Sequence, residues 1–470
     1  MTQQTSQEWI DLLEWLQRNE TNTGEFKATM RSSTSKGRSL VATEDIEEST
    51  SILCLPRSVL LDTKTIPQEF VEKHCLELTS TQALSLFLTV YRSSRRNCAD
   101  PDRFEYPFGC YLSTLPDDLS GIPLVWQLRA IFGKMDEIDP TDLAQLDRLQ
   151  THVRPAPPPT DSINPFDFYQ LMTPTTINQA EEVLLRFIDD WAALVPTLRD
   201  CYPHARLWDL LWAWLIVNTR CVSFNIGAKK MADNISLAPA FDMANHSPIS
   251  RVTAVANEQT LTMYSTQPAG LGPANPALNF PHSSPSDQPC MIRKGQEITF
   301  SYGPHANSTL LTEYGFVASE PNPWDSIDVT DHIVALFNRS DPTHLKKIEL
   351  LKNTDYWEDY TIQCDPLESS HRNLVALRLL HTPEGRLSEW EAHIDGLADE
   401  LSRDIEQAVR RTLDELFDQL QAKSRALVQK LEGPDICFAK FGLSVYSAQC
   451  LVTLAANELK ALSSYSPSTD

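Results

Sequence analysis

The chain has 470 residues, too many for a single core and suited to two domains. With 41% hydrophobic and 22% charged residues it has the make-up of an ordinary globular protein. The formal net charge of -23 argues against a nucleic-acid backbone as direct partner and suits a basic protein or peptide.

Ten cysteines are scattered without a Cys-x-x-Cys pair or a neighbouring His cluster, so no metal site is expected and the thiols read as reduced. The N-terminus lacks the basic-then-apolar run of a secretory signal, which predicts a protein of the nucleus or cytoplasm. The longest apolar stretch, Leu207 to Val217, is too short to cross a bilayer and carries Asp209, so no membrane partner is expected.

In chain order, Ser6 to Arg18 puts Trp9, Leu12, Leu13 and Leu16 on one helical stripe and predicts a docking helix within residues 1–23. Arg38 to Thr43 and Ser51 to Pro56 read as short strands split by a polar turn. From residue 60 to 217 the pattern is mainly helical, interrupted by the stiff Pro-rich connector Arg154 to Pro159. Strands resume at Ile235 to Pro239, Arg251 to Ala256 and Thr260 to Tyr264. The segment 266–289, rich in Pro and Gly, is expected to be a mobile insertion before a last strand ending at Phe300, with a turn at Lys294-Gly295. A Pro-rich connection, Pro321 to Trp324, leads to a region, 325–465, expected to be helical throughout. In it Leu397, Leu401, Ile405, Val409, Leu413, Leu416 and Leu420 predict one long amphipathic helix. No solenoid-type repeat is present.

The polar residues with chemical potential gather in two stretches, Pro239 to Ser247 with Asp242, Asn245 and His246, and Phe300 to Phe316 with Tyr302 and Tyr314. Two tyrosines near a strand end offer hydroxyls and ring faces to a narrow pocket, and Asn-His at a strand-to-helix exit offers side-chain and backbone hydrogen bonds. No Ser-His-Asp order, phosphate loop or metal motif accompanies them. Taken singly, each residue reads equally as a packed tyrosine or a satisfied core histidine.

Together they resemble the SET domain, in the branch of the plant Rubisco large-subunit lysine methyltransferase and its fungal ribosomal-protein methyltransferase relatives. The resemblance rests on Lys36-Gly37-Arg38-Ser39-Leu40-Val41-Ala42-Thr43, Asn218-Thr219-Arg220, Asp242-Met243-Ala244-Asn245-His246-Ser247, and Gly295 to Gly303 with Asn307, Leu310-Leu311 and Tyr314-Gly315-Phe316. These appear in family order across residues 24–317; Ser39 stands where many members have a second Gly. What the resemblance implies is an α+β SET domain of short strands with a pseudo-knot and a helical insert, followed by an all-α substrate-binding domain.

It further implies methyl transfer from S-adenosyl-L-methionine to a protein side chain. Lys36, Gly37, Arg38, Arg220, Asp242, Asn245, His246, Tyr302 and Asn307 would hold the cofactor. Arg220, Asp242, Tyr302 and Tyr314 would line the substrate channel, with Tyr302 as the catalytic residue orienting amine and methyl. A lysine amine ionises near ~10.4, so a dry channel beside a cationic donor must favour its neutral form. The resemblance places a target lysine on a non-histone protein, with a basic ribosomal protein as the first substrate class; a monomer is expected. Two alternatives stay open: transfer to histidine, as in a member with Asn where this chain has Cys221, and a catalytically silent SET-type binding module.

Overall fold

The computed structural model describes residues 6–33, 37–98, 105–153, 166–266, 292–319, 321–434 and 436–466. Contacts divide these into two compact units, one of residues 6–120, 127–153 and 183–304, the other of residues 121–126, 166–182 and 305–466. The Pro-rich connector and the insertion after Thr266 lie outside the described residues.

The first unit is built on small sheets and a helical insert. The helix Gln7–Arg18 starts where the Ser6 side chain accepts the Trp9 N–H, and it buries Trp9, Leu12 and Leu16. β1 (Ala28–Ser33), which the sequence pattern does not announce, pairs antiparallel with β2 (Gly37–Ala42). Thr29, Arg31, Ser32 and Ser33 give it no alternating apolar signal, and only Ala28 and Met30 face the core. β3 (Ser51–Pro56) does not share that sheet. It pairs with β8 (Thr260–Ser265), which forms a hairpin with β7 (Val252–Ala256). The Asn257 side chain closes this hairpin by accepting the N–H groups of Gln259 and Thr260. β4 (Cys221–Ser223) pairs with β5 (Ile235–Leu237).

The decisive strands are the shortest. β6 (Asn245–His246) runs parallel to β9 (Glu297–Phe300), with Asn245 opposite Thr299 and His246 opposite Phe300, while β2 covers the other edge of β9. Gly295 takes φ 79° in the turn before β9 and donates its N–H to Ala42. That conformation is inexpensive only for glycine.

In the helical insert, Ser80–Arg96 opens on a capping box of Thr79 and Gln82, and Leu207–Arg220 buries Leu207 and every residue from Asp209 to Val217. The charged residue in that apolar run, Asp209, is fully buried and answered. Arg96 donates to both its carboxylate oxygens and the Arg206 N–H to one of them, so no charge is left uncompensated.

The second unit is mainly helical but also contains an antiparallel sheet of β10 (Ser326–Asp328), β11 (Thr361–Cys364) and β12 (Leu367–Ser369). Helices throughout 325–465 are thus corrected to helices around a small sheet; three- and four-residue strands fall below what apolar periodicity can register. The long amphipathic helix is Arg403–Leu431, burying Ile405, Val409, Leu416 and Leu420. Leu397 lies before it and is 80% exposed. Gly396 at φ 72° and the extended Ser402 end the stripe there, although the leucine spacing continues through them. Among the described residues no helix is long and apolar enough to cross a membrane.

Candidate functional site

The site grows from the backbone around Asp242. Ala240, fully buried, takes φ 66° and ψ -37°, and the 3-10 turn Phe241–Met243 follows. The Phe241 ring packs edge-on against Phe300, with centroids 5.1 Å apart. The Asp242 N–H returns to the Ala238 carbonyl at 3.1 Å. The chain thus enters β6 from a short helical turn, and the expected strand-to-helix exit at Asn-His is a helix-to-strand entry instead.

Pairing β6 with β9 delivers Tyr302 to this turn. Its N–H donates to His246 Nδ1 at 3.1 Å and its hydroxyl donates to the Ala244 carbonyl at 2.9 Å, with the two rings 5.2 Å apart. Because Nδ1 accepts, a neutral His246 carries its proton on Nε2. Asn245 faces β2: its Nδ2 donates to the Arg38 carbonyl at 3.1 Å and to Glu297 Oε1 at 2.8 Å. Gly37 takes φ 69° with open space where a side chain would stand. The Arg38 guanidinium donates to the Thr114 carbonyl and lies 3.6 Å from Glu8, so the part of Arg38 tied to Asn245 is its backbone.

Arg220, at the end of its helix, donates from Nη1 to the Asp242 carbonyl at 2.9 Å and to Asp242 Oδ2 at 3.2 Å. Tyr111, wholly buried, donates its hydroxyl to the same Oδ2 at 2.9 Å. Oδ1 of Asp242 is buried without a hydrogen-bond partner among the described residues. Burial pushes the Asp242 carboxyl above the usual carboxylate range, opposed by Arg220 and Tyr111. Burial also works against the Arg220 charge, but Asp242, Tyr302 and Tyr111 outweigh it and hold Arg220 above its ordinary value. Arg220 therefore stays cationic and carries the Asp242 anion. The Cys221 thiol is driven far up by burial, so no thiolate nucleophile stands here.

Gly37, Arg38, Arg220, Asp242, Asn245, His246 and Tyr302 thus form one connected set in the first unit. Lys36 lies outside the described residues. Asn307 and Tyr314 belong to the second unit. Asn307 is fully buried; its N–H and Nδ2 donate to Asp325, its Oδ1 accepts the Ala318 N–H and its carbonyl accepts the Leu310 N–H. Tyr314 closes a π-turn, Leu310–Tyr314, with its ring 6.0 Å from His305 and 6.2 Å from Phe316. Gly315 follows at φ 80°, and a Cβ there would stand 2.8 Å from Ile122 Cγ1 and 2.9 Å from the Gly121 carbonyl carbon.

Sequence reasoning misses Tyr111 and the role of Glu297 as the acceptor that orients Asn245. Tyr111 stands 131 positions from Asp242 in a helical insert that otherwise reads as scaffold, and no local pattern ties the two.

The parallel Asn-His strand with the tyrosine delivered beside it is the arrangement expected of a SET fold, and solved structures carry the same fold. Rubisco LSMT bound to sinefungin and monomethyllysine aligns with TM-score 0.57 and 16% identity, over 97% of this chain and 90% of that one. The LSMT SET domain bound to lysine and AdoHcy aligns at 0.55 and 16%, over 97% and 89%. Residues 325–459 match the family model of the ribosomal lysine N-methyltransferase 2 C-terminal domain. Ribosomal lysine N-methyltransferase set11 of Schizosaccharomyces pombe is 27% identical over 81% of this chain and 80% of its own length. Human SET domain-containing protein 4 is 25% identical over 82% and 74%. Ribosomal lysine N-methyltransferase 2 of Saccharomyces cerevisiae is 28% identical over 51% and 50%. The chain thus has the SET-domain fold and is similar in sequence to fungal ribosomal lysine N-methyltransferases.

Proposed function

We propose that this chain is an S-adenosyl-L-methionine-dependent protein-lysine N-methyltransferase whose substrate is a ribosomal protein. The observation that carries the reading is the Tyr302 hydroxyl, fixed at 2.9 Å on the Ala244 carbonyl beside the Asn245–His246 strand. The residues fit such a cofactor. The backbone is open on one side at Gly37, and Asn245 and His246 are oriented by partners. The nearby Ala244 carbonyl and Tyr302 oxygen are acceptors that suit a cationic sulfonium. The cofactor supplies a methyl group already activated on positive sulfur. The protein's task is to hold a neutral amine in line with it, which is orientation rather than strong base catalysis.

In this reading Arg220 fixes the Asp242 carbonyl, and Tyr302 and that carbonyl align the amine. When bound, the cofactor would supply the methyl group, the C–S bond breaking as the N–C bond forms. Its sulfur would keep the electron pair, and the amine would have given its proton to water before docking. The -23 chain charge favours approach of a basic substrate. The protein is proposed to act as a monomer in the nucleus or cytoplasm, which sedimentation and imaging of a tagged chain would test.

The deciding assay incubates the protein with radiolabelled S-adenosylmethionine and ribosomal proteins stripped of methylation. A labelled band whose modified residue is lysine by mass spectrometry is expected, with Tyr302→Phe slower by about 100-fold or more. No label from the wild type, label on another residue type, or equal rates for both proteins overturns the proposal.

A further inference from the structure

Apart from the tyrosine site, the second unit encloses a cavity of about 170 Å³ between the start of the helix Pro174–Cys201, β10 and the two longest C-terminal helices, Arg403–Leu431 and Val445–Leu462. An engineered apolar cavity of roughly 150 Å³ takes up a benzene molecule, so this one has room for a side-chain-sized ligand. Its walls divide by chemistry. Met172, Pro174, Ile327, Leu420 and Leu427 make it apolar along its length, and two carboxyl groups, Asp328 and Glu458, face it.

Neither carboxyl has an ion-pair partner among the described residues. Glu458 accepts one hydrogen bond on Oε1, from the Ser424 hydroxyl at 2.7 Å. Asp328 accepts one on Oδ1, from the Thr330 N–H at 2.8 Å. The remaining oxygen of each is unspent. Glu458 also lines an adjoining cavity of about 20 Å³, space for a single water beside Thr175 and Asp325. The lysine in the wall, Lys423, turns its ammonium to His332 Nε2 at 2.9 Å, on the exposed side. Burial and then Lys423 hold His332 below its ordinary value, so the ring is neutral near pH 7 and accepts that bond. Two carboxyls therefore stand against one cation that already has a partner.

Burying a carboxylate without a countercharge costs stability, and burial raises Glu458 above the ordinary range for that reason. Apolar walls alone would explain a packing defect. Apolar walls leading to unspent carboxylate oxygens describe a receptor for a cation on an aliphatic stem.

We propose that this cavity binds a basic side chain of a partner protein, its ammonium or guanidinium on Glu458 and Asp328 and its stem along Leu420, Leu427 and Ile327. It deepens the methyltransferase reading by giving the substrate a second, unreactive anchor, and it rests on that reading only for the identity of the partner. Lysine and arginine share the required chemistry, and the test separates them.

The probes are n-butylammonium, n-butylguanidinium and, as the uncharged control, n-butanol, titrated into full-length protein carrying ¹³C-labelled Leu, Ile and Met methyl groups. Saturable shifts of the Leu420, Leu427, Ile327 and Met172 methyls by one or both cations are expected, with butanol weaker by about 10-fold or more. The cation that binds more tightly names the side chain. Glu458→Gln keeps an oxygen for Ser424 and removes the uncompensated charge. It should melt higher than wild type at pH 7.5 and bind the cations about 10-fold more weakly. Equal binding of butanol and cations, absence of methyl shifts, or cation binding untouched in a folded Glu458→Gln protein each overturns the proposal. None of these readouts depends on methyl transfer, so they fail separately from the catalytic assay. If that assay succeeds, Glu458→Gln should raise KM for the protein substrate with kcat unchanged; an unchanged KM overturns the anchoring role.

Discussion

Replacing Tyr111 by Phe removes one oxygen from the interior and nothing else, which makes it a clean probe of how the Asp242 turn is held. The lost bond is charge-assisted and 2.9 Å long, from a buried tyrosine to a side chain that is 1% exposed. Such bonds contribute about 1.5–3 kcal/mol, and their loss leaves a buried carboxylate oxygen with Arg220 as its remaining donor among the described residues. At about 2–4 °C per kcal/mol for a domain of this size, Tm should fall by roughly 3–12 °C. The loss has a pH signature. Burial already raises folded Asp242 above its unfolded value, so stability linked to this group is present below the unfolded pKa and is lost as pH rises through the folded one. The Tyr111 hydroxyl lowers the folded pKa, and its removal raises it further. The gap in Tm between wild type and Tyr111→Phe should therefore be widest near pH 7.5 and narrow towards pH 4. In methyl transfer, a turn freed to shift should cost about 10–100-fold in kcat/KM, since the Asp242 carbonyl that Arg220 fixes lies on it. Differential scanning fluorimetry across pH and initial-rate kinetics read both effects. Equal Tm values, or a gap that does not change with pH, would refute the reasoning.

Other expectations follow from backbone and burial. Gly315→Ala forces a side chain into φ 80° and against Ile122 and Gly121, and should cost about 2–4 kcal/mol in chemical denaturation. Ala240→Gly has the opposite sign, because Ala240 holds a positive φ that glycine adopts freely; unfolding should show an unchanged or slightly raised stability, up to about 1 kcal/mol. Cys75 is buried and its thiol is pushed up to about 11 by that burial, whereas Cys54 is exposed. Iodoacetamide at pH 8 should label Cys54 first and spare Cys75 until the protein unfolds, as read by peptide mass spectrometry.

Much of the candidate site is legible in the amino-acid sequence, because its parts sit in short contiguous strings. Asp242 to Ser247 and Glu297 to Gly303 each form one local element, and a resemblance across four such strings needs no three-dimensional information. The helices are equally legible where one face is apolar, as in Leu207–Arg220 and Arg403–Leu431. The signal fails where an element is short or its stripe outruns its backbone. β1 and the sheet of β10, β11 and β12 carry too few apolar residues for a period, and Leu397 continues a leucine spacing that Gly396 and Ser402 interrupt.

The amino-acid sequence by itself carried the resemblance to the SET fold, singled out Tyr302, Asn245 and His246 as candidate site residues, and set the acidic character that suits a basic partner. Only tertiary structure decided what holds those residues. Tyr111 reaches Asp242 across 131 positions, Glu297 orients Asn245 across 52, and the Tyr302 hydroxyl finds the Ala244 carbonyl through a two-residue parallel strand pair. The physical reason is that such bonds are fixed by how distant elements pack, and their members need only be a hydroxyl, a carboxylate or a carbonyl in the right place. Residue types as common as these leave no local pattern, and the same holds for the unspent carboxyls of Asp328 and Glu458, which become a site only when β10 and the last helix meet around one cavity.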